Sequence, residues 1–390
     1  MWESLETLIE AADQGDANAQ TELADRYRDG KGIDQDYTKA VEWYRKAAEQ
    51  GDVVGQRRLG ARYLQGQGVE KDSKEAFYWC NKAAEQNDVI AMNLLGACYI
   101  DFEQNYEKAV EWFTKAAEQG DGDAQHNLAR SYYIGQGVEK DYKKAVELYT
   151  KAAEQGHVGA QDMLAQCYYY GDGVERDYKK AVEWFSKAAE QGDAVAQHNL
   201  AKCYCYGYGV EQDYVKAFEW YKKSAEQGDA KAQFDLGNFY FEGNGVKQDY
   251  VKAFEWFKKS AEQGDAKAQF NLGTFYSEGI GVEQDLEKAV EWYTKAAEQG
   301  LAEAQNILGD YYAELGEQQR EKQIVGFLGL AATSADEWAE SVRHYSGRTE
   351  ETELFEQNYA KAVEWYTKAA EQGHAMAIEK LERIKQTQKS

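Results

Sequence analysis

Ala47-Ala48-Glu49-Gln50-Gly51-Asp52 is the stretch that decides how this chain folds. Alanine and glutamate sustain a helix, glycine ends one by accepting a left-handed backbone, and aspartate caps the start of the next. The phrase is a stop and a start combined. It returns with its terminal residue at Gly15, Gly51, Asn87, Gly120, Gly156, Gly192, Gly228, Gly264, Gly300 and Gly373, mostly 36 residues apart, once 33 and finally 73. A fixed period of this size denotes a repeat array, in which each unit buries its apolar face only against its neighbours. Such a frame excludes most enzymes and puts function on surfaces.

Outward from the phrase, the unit from Asp16 to Gly51 holds two helices. Ala19, Leu23, Ala24 and Tyr27 lay an apolar stripe along the first. The small residue at Ala24, replaced by Gly60, Gly96, Gly237, Gly273 and Gly309 elsewhere, lets a neighbouring helix come close. Asp29-Gly30-Lys31-Gly32-Ile33 then reverses the chain, with one aliphatic residue to plug the loop. Asp36 caps the second helix, whose buried stripe is Ala40, Trp43, Tyr44 and Ala47, and Gly51 ends it.

Composition agrees with one continuous helical body. The 390 residues are 43% hydrophobic and 14% aromatic and contain no proline, which argues against disorder. A net charge of −24 disfavours nucleic acid and anionic lipid, both of which are bound through clustered lysine and arginine. The recurring glutamates read as a solvated face. Cys80, Cys98, Cys167, Cys203 and Cys205 are odd in number and lack a pairing interval, so free thiols in a reducing compartment are expected. The start, Met1-Trp2-Glu3-Ser4-Leu5-Glu6, has no signal-peptide character, and no run approaches the roughly 20 apolar residues of a membrane span. These features predict a cytoplasmic protein without membrane insertion, and they are compatible with signal-independent secretion.

The run from Leu236-Gly237-Asn238-Phe239-Tyr240 through Gly243-Asn244-Gly245-Val246 and Asp249-Tyr250, continuing to Trp256 and Ser260-Ala261-Glu262-Gln263-Gly264, resembles the Sel1-like repeat signature. The resemblance covers nearly the whole chain. It implies an all-α, tetratricopeptide-like solenoid: a right-handed superhelix of about ten helix-turn-helix repeats, with first helices lining a concave surface. Family members of this kind mostly act as adaptors or scaffolds for other proteins. Residues 2–15 are expected to form an amino-terminal capping helix, 16–300 eight repeats, and 374–390 a carboxy-terminal capping helix and tail. In the third repeat Asp101-Phe102-Glu103-Gln104-Asn105 replaces the glycine loop, which predicts a tighter turn. For 301–373 the expectation is two degenerate repeats. Gln323 to Ala332 aligns with a second helix, Asp336 to Tyr345 with a worn first helix, and Ser346 to Gln357 is left as a long polar loop.

Chemistry finds little support in the sequence. His126 and His198 share a repeat slot two repeats apart, too far for a common metal, and His157, His344 and His374 add no cluster. The glycine loops have neither the preceding strand nor the Lys-Ser/Thr of a phosphate-binding loop, and loop acids such as Asp34 lack the spacing of a calcium loop. No cofactor, metal or catalytic residue is predicted. Some cysteine-rich Sel1-like proteins are described as β-lactamases. Here Ala47-Ala48 and Ala152-Ala153 occupy the slots where such proteins look to carry paired cysteines, and no Ser-x-x-Lys motif stands out.

What remains is a non-enzymatic scaffold holding a peptide or partner protein on its concave face. By analogy with tetratricopeptide geometry, the candidate contacts are first-helix residues that the framework leaves free. They are Arg57, Leu64 and Asn93 in the early repeats, His126, Arg130 and Tyr133 in the fourth, and Gln166 and Tyr169 in the fifth. The sixth repeat adds His198 and Lys202, the seventh Lys231, Phe234, Asn238 and Phe241, and the eighth Lys267, Phe270 and Thr274. Aromatic and arginine residues are enriched at binding hot spots. The competing expectation is that curvature buries some of these side chains between neighbouring first helices. A β-lactamase-like hydrolase and a toxin-sequestering immunity or effector protein are the alternatives. The partner's identity and the oligomeric state are not legible.

Overall fold

The structure, a computed structural model, describes residues 4–329 and 350–387. Among these residues there are twenty helices and no strand. A lone helix α1 (Leu5–Asp13) precedes eight helix pairs. Their first helices are α2 (Ala17–Asp29), α4 (Val53–Gln65), α6 (Val89–Glu103), α8 (Gly122–Ile134), α10 (Val158–Tyr170), α12 (Ala194–Tyr206), α14 (Ala230–Glu242) and α16 (Ala266–Glu278). The second helices are α3 (Tyr37–Glu49), α5 (Ser73–Glu85), α7 (Tyr106–Glu118), α9 (Tyr142–Glu154), α11 (Tyr178–Glu190), α13 (Tyr214–Glu226), α15 (Tyr250–Glu262) and α17 (Leu286–Glu298). Helices α18 (Ala302–Gly329), α19 (Glu350–Glu371) and α20 (Ala375–Thr387) follow. The chain divides into two compact units, residues 1–203 with 207–211 and residues 204–206 with 212–390. In each unit, helices adjacent in sequence pack on one another as a solenoid requires.

The corner works as its residues dictate. Gly51 has φ 91°, a conformation strained for any residue with a Cβ, and the amides of Gly51 and Asp52 close on Ala48 O (3.0 Å) and Ala47 O (3.1 Å). Asp52 then accepts the Gly55 amide at 2.6 Å to start α4, just as Asp36 accepts Lys39 N at 3.0 Å to start α3. In the third repeat the shorter turn is present as expected: α6 runs on to Glu103, Gln104 takes φ 51°, and Asn105 caps α7.

The core is a file of small and large side chains. Leu23, Leu59, Leu95 and Leu164 in the first unit are fully buried, as are Leu236, Leu272 and Leu308 in the second. Each contributes about 1.5–3 kcal/mol by leaving water. Close approach of the two helices in a pair depends on the small slot, since a Cβ on Gly237 would stand 2.7 Å from the Phe257 ring. The tryptophan slot is not core. Trp43 is half-buried, with Lys46 Nζ 3.6 Å above its ring, and Trp112/Lys115 (3.9 Å) and Trp256/Lys259 (3.8 Å) repeat the arrangement.

A glutamine ladder ties repeat to repeat. Buried Gln161 donates to Ala153 O at 3.1 Å, at the end of the preceding helix, and accepts from Gln191 of the next corner at 2.8 Å. Gln20/Gln50, Gln56/Gln86, Gln125/Gln155, Gln233/Gln263 and Gln269/Gln299 do the same at 2.8–2.9 Å. The first-helix glutamine thus joins the end of the preceding repeat to the corner glutamine of its own repeat, so the corner phrase supplies a hydrogen-bond partner as well as a helix end.

The segment after Gly300 departs from expectation. Residues 302–329 form one uninterrupted helix, so no turn precedes the second helix expected at Gln323. Helix α19 begins at Glu350, inside the stretch read as a polar loop. Gln372 donates to Gln305 at 2.9 Å and the Tyr366 hydroxyl to Asp310 at 2.6 Å, so α18 and α19 pair with each other as the two helices of one repeat. The alignment of Gln323 to Ala332 with a second helix matches helix to helix and carries no sign that the turn residues are missing. The worn first helix placed at 336–345 lies outside the described residues.

Candidate functional site

The candidate residues fall into four columns along the first helices, set by their distance from the capping residue. Five residues after the cap stand Arg57, Asn93, His126, His198, Phe234 and Phe270. This column points into the seam with the next repeat. Arg57 pairs with the cap Asp88 (3.4 Å), His126 stacks on the cap His157 (ring centroids 4.6 Å), and Asn93 accepts from Asn127 (2.9 Å). His198 is 8% exposed. Phe234 and Phe270 lie against Phe257 (5.8 Å) and Tyr293 (5.6 Å) of their own second helices. Asn93 and His198 are buried, and Arg57, His126, Phe234 and Phe270 are half-buried against these neighbours.

Nine residues after the cap the column opens. Arg130 is exposed, while Lys202 and Asn238 are half-buried. Gln166 donates to Asp162 at 2.7 Å, and Thr274 accepts the Tyr293 hydroxyl at 3.1 Å. Twelve after the cap, Tyr133 donates to Asp172 at 2.7 Å, and Tyr169 sits among Tyr170, Tyr178 and Tyr208 at 5.0–5.9 Å. Leu64 is half-buried, and Phe241 leans on Tyr250 and Phe275 yet is 36% exposed. Two after the cap, Lys231 and Lys267 are exposed. Arg130 in the first unit, and Lys231, Phe241 and Lys267 in the second, are thus the candidates left open to a partner.

Two groups escaped the sequence reading. His157 replaces the aspartate cap and accepts the Ala160 amide through Nδ1 (3.0 Å), while its Nε2 lies 3.2 Å from Asp123. Burial first, and His157 second, hold His126 down to about 4. One repeat on, burial pushes the Asp162 carboxyl up to about 6, and its Oδ1 has no hydrogen-bond partner. The second group is basic. Six of the twelve arginines lie between residues 26 and 62, in a chain of net charge −24. Arg28 grips Asp29 through two bonds (2.7 and 2.9 Å) and Asp25 at 2.6 Å, and Arg58 approaches Asp25 at 3.6 Å. Arg62, only 8% exposed, has the neutral Gln67 side chain as acceptor. The clue was present in the sequence: ten residues after the cap stand Cys98, Ser131, Cys167, Cys203, Phe239 and Phe275 in later repeats and Arg26 in the first, but Arg26 has Glu22 four residues before it at 3.3 Å where Arg62 has Arg58.

In the second unit, a cavity of about 360 Å³ is lined by Leu286, Val290, Tyr293, Ile307, Tyr311 and Leu315 among others. Among the described residues no three His, Cys, Asp or Glu side chains gather as a metal site, and no helix is long and apolar enough to cross a membrane.

The Sel1 repeat profile matches residues 17–52, 53–88, 89–121, 122–157, 158–193, 194–229, 230–265, 266–301 and 353–374. The chain belongs to the Sel1 repeat family. Among solved structures, this Sel1 repeat protein is similar to a protective antigen present in uropathogenic Escherichia coli strains that displays an SLR fold. The identity is 37% over 98% of this chain and 82% of that one, with a TM-score of 0.65. It is also similar to a Sel1 repeat protein from Oxalobacter formigenes, at 35% identity over 77% of this chain and 88% of that one, with a TM-score of 0.58. Among the curated proteins none matches it. The final match, 353–374, covers α19 and its corner, and none falls between 302 and 352, in keeping with a last repeat whose helices are far apart in sequence.

Proposed function

We propose that this Sel1 repeat protein is a non-enzymatic, cytoplasmic scaffold that holds a peptide or partner protein on the face carried by its first helices. The supporting observation is the contrast between columns. Caps, corners and glutamine links repeat along the array, whereas the residues two, nine and twelve after the cap change from repeat to repeat and leave Arg130, Lys231, Phe241 and Lys267 open. Phe234 and Phe270 are packing residues in this reading, so Phe234→Ala with Phe270→Ala tests folding.

The binding test is Phe241→Ala combined with Lys231→Glu and Lys267→Glu, in affinity capture from the native cell followed by mass spectrometry. The expected result is loss of the partners captured by the wild-type chain, with the helical circular-dichroism signal unchanged. Identical capture by both chains would overturn the assignment of this face. Saturable turnover of a chromogenic cephalosporin, lost on substitution of a first-helix residue, would instead establish a hydrolase.

A further inference from the structure

Arg62 presents a physical problem that the repeat frame does not solve. A guanidinium keeps its charge at any physiological pH, and burying a charge is costly unless a counter-ion compensates it. Helices α2 and α4 carry five guanidinium groups; Arg26 is held by Glu22 at 3.3 Å, which leaves those of Arg28, Arg57, Arg58 and Arg62 to be balanced. Asp29 and Asp25 hold Arg28, Asp25 also faces Arg58, and Asp88 holds Arg57. Lys31 draws further on Asp29 at 3.3 Å. Lys31 is 77% exposed and water solvates its charge, so four guanidinium groups face three carboxylates, and the one without a carboxylate is Arg62. The Nε of Arg58 and of Arg62 are buried and have no hydrogen-bond acceptor. Burial, reinforced by the neighbouring charges of Arg28 and Arg58, weakens the hold of Arg62 on its proton.

We propose that the Arg28–Arg58–Arg62 cluster binds one carboxylate group of a peptide partner. Charge and geometry select this ligand. One uncompensated cation calls for a monoanion, while a phosphate dianion would also face the carboxylates of Asp25 and Asp29. The planar fork of a guanidinium matches a carboxylate, and Arg58 and Arg62 both have donors to spare. With so acidic a chain, attraction is confined to the cluster itself, since charges beyond roughly 8–10 Å are screened at physiological salt. A peptide as the source rests on the scaffold function proposed above. The carboxylate site itself stands on the arginines.

The test uses the full chain with 15N-labelled arginine, following the Nε–H resonances of Arg58 and Arg62. Its probes are acetyl-tetraglutamate amide, acetyl-tetraglutamine amide, acetyl-tetraglutamine with a free carboxy terminus, and inorganic phosphate. Saturable shifts with the tetraglutamate amide or with the free terminus are expected, and whichever binds assigns the carboxylate to a side chain or to a chain end. The tetraglutamine amide is expected to give none. Arg62→Met, followed through Arg58, should weaken binding about tenfold or more, the equivalent of a lost charge-assisted hydrogen bond. Its melting temperature should not fall, because removing an uncompensated buried charge does not cost stability. Tighter binding of phosphate, or shifts that never saturate, would overturn the proposal. So would a lowered melting temperature in Arg62→Met with binding intact, which would make Arg62 a packing residue. No natural partner is needed, so if the peptides bind but Arg62→Met leaves partner capture unchanged, the scaffold assignment fails here and the carboxylate site stands.

Discussion

Replacing Gln161 with leucine should loosen one seam of the array and leave the others alone. The side chain is 4% exposed and makes two bonds, to Ala153 O at 3.1 Å and from Gln191 Nε2 at 2.8 Å. A neutral hydrogen bond is worth about 1 kcal/mol net, so the pair sets a ceiling of about 2 kcal/mol. Two features keep the cost below the penalty for a stranded buried group. Ala153 O retains the Gly156 amide at 3.0 Å, and Gln191 is exposed and can turn to water. Leucine preserves the bulk, so the expected loss is about 1–2 kcal/mol, against less than about 0.5 for Gln191→Ala on the solvent side of the same link. Because repeats couple only to neighbours, the loss should appear as local opening, with amides of α9 and α10 exchanging about 5–30 times faster while those of α2 and α3 are unaffected. Hydrogen exchange resolved by mass spectrometry measures this. Equal effects of the two substitutions, or acceleration spread over the whole chain, would refute the claim that the glutamine is the inter-repeat link.

The third repeat offers the converse. Met92 fills the same slot, and Gln119 reaches its sulfur at 3.5 Å, so Met92→Gln should stabilise that seam by about 1 kcal/mol in urea denaturation. Gln104→Gly removes a side chain from φ 51° and should raise stability by about 1 kcal/mol in the same assay. His126, held at about 4, binds its proton less readily when folded than when unfolded, so its neutral form favours the fold above pH 6.5 and stability falls as pH drops from 6.5 toward 4. His126→Phe should flatten that decline, which is bounded by about 3 kcal/mol. Asp162, at about 6, has the opposite sign: the folded state favours its protonated form, and that contribution disappears as pH rises through 6. Asp162→Asn should therefore stabilise the chain at pH 7 by at most about 3 kcal/mol, and thermal melts at pH 5 and 7 check the reversal.

The frame was legible because each of its devices is a local requirement on residue type. A left-handed corner demands glycine, a cap demands a short acceptor, and close helices demand a missing side chain at positions such as Gly237, so each leaves a letter at a fixed spacing. Links between repeats leave weaker marks. Gln161 and the Ala153 carbonyl that it reaches across the corner read separately as a helix residue and a helix end. The long hairpin of α18 and α19 was misplaced for a related reason, since a helical pattern in 302–329 carries no sign of whether a turn interrupts it. In the candidate site, spacing along the first helices does not tell a side chain facing solvent from one facing the next repeat.

That distinction has a physical criterion, which separates two kinds of variation in a repeat slot. Where a side chain varies together with the group it meets across the seam, the variation is structural. Thr21 donates to Asp52 at 2.9 Å, Arg57 pairs with Asp88, and His126 stacks on His157, the one cap in that set that is not aspartate. Each of these side chains meets a counterpart within the solenoid, a cap residue of the following repeat. Arg62 is the contrary case: the same slot in the first repeat holds Arg26, which pairs with Glu22 four residues before it at 3.3 Å, whereas Arg62 has Arg58 at that position and no carboxylate partner. A variable residue whose counterpart lies within the chain builds the solenoid. A variable charged residue with no counterpart in the chain has its counterpart in what the solenoid binds, which is why the uncompensated arginine is a sharper guide to the partner than the more conspicuous phenylalanines.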